Sequence, residues 1–203
     1  TILLSGIFLA ACNNGFLDKE PLSNVTPEQY LSNEANLGSY TIDLYNLLPT
    51  HGQYGWGTFE ADNHTDNMAG MQPSAMYAPG QWRVEQTGGA WDFTPFYRCN
   101  YFLHHVLPKL ERNEIEGNRD AINHYVGEAY FLRAFSYFQK LQELGDFPII
   151  TDIFPDDREV LTAASERRPR NEVARFILQD LDHAIELLGN TAPNGGKNRL
   201  GKM

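Results

Sequence analysis

The chain has 203 residues, of which 42% are apolar, so it is long enough to build a sizeable hydrophobic core. Its 26 acidic residues outnumber its 16 basic residues and give a formal net charge of −10. Nucleic-acid-binding proteins carry a basic patch or stripe. The one short basic cluster here, at residues 167–170, is interrupted by Pro169 and is interpreted as a solvated loop. The composition therefore argues against a nucleic-acid partner.

The first residues resemble the end of a bacterial lipoprotein signal peptide. Residues 2–11 are almost wholly apolar and carry no charge. Such a segment is too short to span a bilayer, which needs about 20 residues, but it fits the hydrophobic region of a signal peptide. It ends in Leu-Ala-Ala-Cys, the lipobox pattern, which predicts a lipid on Cys12. We expect residues 1–11 to be an incomplete signal peptide that is removed, and residues 12–25 to be a lipidated tether. The alternative is an apolar strand or helix that ends in cysteine by chance.

Apolar residues at helical spacing predict an all-α fold of antiparallel helices. Thr26 and Pro27 are a favourable helix start, and Gly145 is a suitable residue after a helix end. Pro108 is expected to bend or shorten its helix. Residues 146–169 are expected to form a polar link, and Cys99 to be a small buried apolar residue. The predicted helices cover residues 26–48, 91–112, 119–144 and 171–188.

Residues 50–90 break the helical pattern and predict one long irregular loop. The segment is rich in glycine, proline and aromatic residues, and a long loop of this kind is usually functional or disordered. Disordered segments are poor in aromatic residues, which favours a functional loop. Sugar rings stack on tryptophan and tyrosine, and amide or carboxylate groups bind their hydroxyls. The alternative is that the aromatic residues fix the loop to the helices. The candidate glycan-binding residues are Trp56, Tyr77 and Trp82 for stacking, with Asp62, Asn63, Asn67 and Gln81 for hydrogen bonding.

Catalytic and metal sites are less favoured than a binding site. Glu60, Asp62 and Asp66 are carboxylates that a glycoside hydrolase could use. Asp62, His64 and Asp66 alternate in the loop and offer the ligands of a calcium site. Solvated loop acids are far commoner than either, and the sequence has no serine nucleophile motif, phosphate loop or dinucleotide-binding motif. The sequence therefore predicts no catalytic residue, no metal and no cofactor.

Four motifs of the chain resemble motifs of the SusD/RagB family of outer-membrane nutrient-binding lipoproteins, and they occur in the same order as in that family. The helix motif around residue 130, followed by Gly-Asp-Phe-Pro, is the most specific of them. A departure is Cys99, where the family more often has an apolar residue. The motifs are Phe16-Leu17-Asp18 with Pro21 shortly after Cys12; WDFTPFYRCN at residues 91–100; GEAYFLRAF at residues 127–135 with LGDFP at residues 144–148; and Arg168 before Glu172-Val173, Ile177, Asp180-Leu181 and Ala184.

This resemblance implies helix pairs similar to tetratricopeptide repeats and a protein without catalytic activity. It also implies a SusC-like TonB-dependent transporter as partner, a glycan as ligand, and a lipid-anchored location on the outside of the outer membrane. Family chains are more than twice this length, so residues 26–203 are expected to be a C-terminally truncated N-terminal domain, with residues 199–202 leading into a further helix. Glu128 and Arg133 are expected to make buried structural contacts. The alternatives are a binding lipoprotein for another nutrient such as peptides, or a hydrolase that uses the loop carboxylates.

Overall fold

The computed structural model describes residues 26–49, 78–81, 83, 90–195 and 198–202. These residues form helices and no β-strand; backbone pairing outside the helices is limited to two isolated bridges. None of the helices in these ranges is long and apolar enough to cross a membrane. The helices are α1 (Pro27–Tyr30), α2 (Glu34–Leu44), α3 (Thr94–Glu111), α4 (Arg119–Leu144), α5 (Arg158–Ala164) and α6 (Arg170–Leu187), with 3-10 turns at Tyr45–Leu47 and Pro193–Gly195.

The prediction of one helix over residues 26–48 is wrong, because the segment forms two helices, α1 and α2. Thr26 caps α1 as expected, with reciprocal hydrogen bonds to Gln29. The chain then leaves the helix, and Asn33 caps α2 by accepting the N–H of Asn36 at 3.0 Å. Between the caps, Glu116 accepts the N–H of Glu34 at 2.8 Å and donates its own N–H to the Ser32 carbonyl at 2.9 Å. These long-range backbone partners replace the bonds that a continuous helix would make.

Helix α4 confirms the predicted bounds of residues 119–144. Asn118 caps its start by accepting two backbone N–H groups, and Gly145 follows its end with a φ of 75°, which favours glycine. Helix α3 begins three residues later than predicted, at Thr94, and contains Pro108 one turn before its end.

Helices α3 and α6 pack as antiparallel neighbours on two sides of α4, which confirms the predicted helix pairs, whereas α2 runs parallel to α4. On one side, the ring of Tyr137 contacts Phe176 at 4.9 Å between centres, and Gly127 lies against Leu188 near the other end of α6. On the other side, the ring of Phe96 near the start of α3 lies 4.3 Å from that of Tyr137. One apolar cluster fills the space between α2, α3 and the first half of α4, and a second one surrounds Tyr137.

The link at residues 146–169 contains a short helix that the sequence prediction missed. Asp157 caps α5 by accepting the N–H groups of Glu159 and Val160, at 2.9 and 3.0 Å. The two ends of the link meet because Phe147 and Arg168 exchange both backbone hydrogen bonds, at 3.2 and 3.1 Å. The link is therefore a closed loop, and its helix lies across a cleft from α3.

Candidate ligand-binding site

The predicted glycan-binding residues fall mainly outside the described ranges. Gln81 is the exception: it is exposed in a turn, where its backbone N–H donates to the Ala78 carbonyl at 3.1 Å. Trp56, Asp62, Asn63, Asn67, Tyr77 and Trp82, together with the lipobox residue Cys12, lie outside the residues that the structure describes.

The described residues contain a cleft that the sequence analysis did not predict. It lies between the first half of α3, residues 150–154 and α5, and its volume is about 320 Å³. Pockets of this size with mainly apolar walls are typical of small-ligand sites. The cleft is lined by Phe93, Phe96, Tyr97, Ile150, Phe154 and Leu161, with the polar residues Asn100, Asp152 and Ser165.

A hydrogen-bonded clamp holds one wall of this cleft in place. The backbone N–H of Ile150 donates to the hydroxyl of Tyr137 at 2.8 Å, and that hydroxyl donates to the Ile150 carbonyl at 3.1 Å. The same carbonyl accepts the side-chain amide of Asn100 at 2.8 Å. Tyr137 and Asn100 are fully buried, and burial raises the pKa of the Tyr137 hydroxyl to about 12. The wall that carries Asp152 and Phe154 is therefore fixed to α3 and α4.

Aromatic side chains form the support behind the cleft. The rings of Phe93 and Phe96 each lie 5.4 Å from the ring of Phe147, which is fully buried. The indole of Trp91 stacks on Phe147 at 5.5 Å with 15° between the planes, and the Arg167 guanidinium lies 5.9 Å from the indole centre. Trp91 therefore already uses its ring in contacts within the chain, although the residue is 42% exposed.

Arg133 joins three helices through a buried polar network, which confirms its predicted structural role. Its guanidinium donates to both carboxylate oxygens of Asp180 on α6, each at 2.7 Å. A third bond, of 2.8 Å, goes to the side-chain oxygen of Asn100 on α3. Because Asn100 also binds Ile150, the network continues from α6 to the wall of the cleft.

Glu128 is the centre of a second buried network, also as predicted. It accepts hydrogen bonds from Arg199 at 2.6 Å and from Tyr45 at 2.9 Å. Arg199 also donates to the Gly38 carbonyl at 2.6 Å and to Thr41 at 3.0 Å. Burial raises the pKa of the Glu128 carboxyl, and the charge of Arg199 opposes this. The segment around Arg199 is thereby fixed against α2 and α4, a role that the sequence analysis missed.

Titratable side chains do not form a metal site in the described part of the chain, where no group of three or more metal-binding residues comes together. His124 is a titratable residue with a structural role. It is buried, its Nδ1 atom accepts the N–H of Gly189 at 3.1 Å, and its Nε2 atom lies 3.4 Å from Glu128. Glu60, Asp62 and Asp66, which carried the catalytic alternative, lie outside the described ranges.

A comparison with protein-family models identifies the family of this chain. The model of the SusD-like proteins, described as starch-binding and associating with the outer membrane, matches residues 15–201. The chain belongs to the SusD-like family. Proteins of this family are glycan-binding proteins of the outer membrane, which agrees with the resemblance found in the motifs.

Curated SusD-like relatives match nearly the whole chain. SusD-like protein P38 of Formosa agariphila is 26% identical over 189 residues, covering 90% of this chain and 35% of that protein. A SusD-like protein of Bacteroides ovatus is 24% identical over 209 residues, covering 96% of this chain and 35% of the relative. The chain thus spans about a third of the length of these relatives.

A solved structure supports the fold. The crystal structure of a SusD-like protein from Bacteroides fragilis superposes with a TM-score of 0.57 over 91% of this chain and 35% of that one, at 20% sequence identity. This similarity confirms the helical fold, which in SusD-like structures resembles tetratricopeptide repeats.

Proposed function

We propose that this SusD-like chain belongs to a cell-surface lipoprotein that binds a glycan and delivers it to a SusC-like TonB-dependent transporter. The family match over residues 15–201 carries the proposal, because that family is described as starch-binding and associated with the outer membrane. Binding without catalysis is the proposed activity. In this protein residues 26–203 form part of the helical domain, and residues 12–25 connect it to the membrane.

The proposed anchor is a lipid on Cys12, at the end of the lipobox. Metabolic labelling with a radioactive fatty acid tests it in cells that express the full-length protein. We expect labelled protein in the outer-membrane fraction, accessible to protease added to intact cells, and unlabelled protein after Cys12→Ser. Equal labelling of the two proteins would show that the lipid is not on Cys12.

The proposed ligand contacts are the loop aromatic residues Trp56, Tyr77 and Trp82, with Asp62, Asn63, Asn67 and Gln81 as hydrogen-bonding groups. Affinity electrophoresis of the full-length protein in gels that contain amylopectin, glycogen, xylan, galactan or a mixed-linkage β-glucan would identify the glycan. Stacking contributes about 1 kcal/mol per ring beyond burial, so the Trp56→Ala and Trp82→Ala variants should each bind several-fold more weakly.

Phe138→Ala is the matched control, because Phe138 is a 45% exposed aromatic residue on α4 and does not line the cleft. Unchanged retardation of both tryptophan variants would refute the stacking role. Retention of peptides, with no polysaccharide retarded, would instead favour another nutrient as the ligand.

The absence of catalysis is tested with the same purified protein and the glycan that retards it. We expect no release of reducing ends over prolonged incubation. Release that disappears in the Asp62→Ala or Glu60→Ala variant would identify a hydrolase and overturn this part of the proposal.

The transporter partnership is tested by purifying the tagged full-length protein from detergent-solubilised outer membranes. We expect a TonB-dependent transporter of the SusC type to co-purify in a stoichiometric amount. Purification of the lipoprotein without any transporter under mild detergent conditions would argue against a stable complex.

A further inference from the structure

The described lining of the cleft between α3, residues 150–154 and α5 consists of residues other than those of the proposed stacking site. We propose that this cleft is a second carbohydrate subsite, which holds one pyranose ring of the bound glycan. The inference rests on the proposed glycan-binding function and adds a specific position to it.

The walls of the cleft have the chemistry that a sugar ring needs. Tyr97 is 52% exposed, so part of its ring remains available for contact with the C–H face of a pyranose, and Phe154 is partly buried across the cleft. Asp152 and Ser165 are exposed residues of the lining and offer oxygen atoms for sugar hydroxyls. The hydroxyl of Ser165 donates to the Thr162 carbonyl at 2.8 Å, which leaves its oxygen able to accept.

The cleft is also held open before any ligand binds. The clamp on Ile150 fixes the wall that carries Asp152, and the Asp157 cap begins the helix that carries Leu161 on the opposite side. Leu161 stays 42% exposed, although an inward collapse of α5 would bury it. A preformed cleft binds with a smaller entropic cost than a flexible one.

A sugar ring fits this cleft better than an apolar side chain of a protein partner does. The volume of about 320 Å³ is at the lower end of small-ligand pockets, which suits a single ring. An apolar side chain would make no hydrogen bond with the carboxylate of Asp152 or the hydroxyl of Ser165, both of which lie in the lining. A sugar supplies hydroxyl donors for that carboxylate and an apolar face for the aromatic wall.

The test is affinity electrophoresis of the full-length protein in the polysaccharide that retards it most. We expect Tyr97→Ala and Asp152→Ala to weaken binding about threefold to tenfold, because each removes one contact of ordinary strength. Tyr97→Phe retains the ring and should bind like the wild type, as should the control Phe138→Ala. Thermal unfolding of each variant confirms that these exposed substitutions leave the fold intact.

Retardation of Tyr97→Ala and Asp152→Ala equal to that of the wild type would overturn the subsite and leave the proposed function standing. Normal retardation of Tyr97→Ala combined with loss of the co-purifying transporter would also overturn it, and would identify the occupant as a protein side chain. A folded wild-type protein that none of the five polysaccharides retards would overturn the subsite and glycan binding together.

Discussion

The substitution Asp180→Ala tests how far the buried Arg133 network holds the helices together. The side chains of Arg133 and Asp180 are only 7% and 3% exposed. Two hydrogen bonds of 2.7 Å join them. Among the described contacts of the Arg133 guanidinium, the Asp180 carboxylate is the charged group. Removing it leaves a buried positive charge with one hydrogen-bond partner, Asn100, and with the rings of Tyr130 and Phe176 at 5.4 and 5.2 Å. We therefore expect the free energy of unfolding to fall by about 3–5 kcal/mol, the usual cost of an uncompensated buried charge.

Urea and thermal unfolding, followed by circular dichroism, measure the effect in the full-length protein. The urea transition gives the size of the loss, and the melting temperature should fall in the same variant. Asp182→Ala is the matched control, because Asp182 is the same residue type on the same helix and is exposed. It should change the free energy of unfolding by no more than about 0.5 kcal/mol.

A double variant distinguishes the buried charge from lost packing. Arg133→Met combined with Asp180→Leu removes both charges and fills their space with apolar side chains. This double variant should therefore be clearly more stable than Asp180→Ala alone. If Asp180→Ala unfolds like Asp182→Ala, or if the double variant is less stable than the single one, the reasoning about the buried ion pair is incorrect.

Three further expectations concern residues buried between the helices. In Gly127→Ala the new Cβ would lie 3.0 Å from the Leu188 side chain and 3.1 Å from the Leu188 backbone nitrogen. Urea unfolding should therefore show that the free energy of unfolding falls by about 1–2 kcal/mol. The same substitution at an exposed helix position would raise the free energy of unfolding. Burial raises the pKa of Glu128 above 4.5, so the folded protein retains a proton that the unfolded chain releases, and stability should fall as the pH rises from 4.5 through the raised value. Glu128→Gln should remove this component, and an unchanged pH profile would contradict it. Cys99 is buried, and burial raises the pKa of its thiol to about 12. In the Cys12→Ser protein a thiol reagent should therefore react with Cys99 only after denaturation. Rapid labelling of Cys99 in the native protein would contradict the burial of this residue.

The two buried networks give a physical reason for the motif GEAYFLRAF at residues 127–135. Gly127 allows the close approach of α6, Glu128 binds Arg199, and Arg133 binds Asp180. Gly127 and Arg133 thus face α6, and Glu128 faces the segment around Arg199. The motif therefore specifies the packing of helices, and the ligand contacts are expected elsewhere, in the loop and in the cleft.

Local sequence was sufficient to predict helix α4 because every signal for it is local. The apolar spacing, the cap at Asn118 and the glycine at residue 145 act within a few residues of the positions that they determine. The same holds for the start of α1 at Thr26. The lipobox and the family motifs were likewise readable without a structure, since they are short patterns of residue types.

Tertiary structure decided the features that depend on distant partners. The break after Tyr30 follows from backbone bonds to Glu116, which the spacing of apolar residues cannot reveal. Arg199 is 71 residues away along the chain from the carboxylate that it binds. The cleft beside Tyr97 exists because Tyr137 and Asn100 fix Ile150 at a particular distance from α3. The sequence alone thus determined the family, the helical class and the bounds of α4 and α6, because these depend on local patterns. Only the folded chain determined where its buried charges pair and where its surface stays open, because both depend on contacts between residues far apart in sequence.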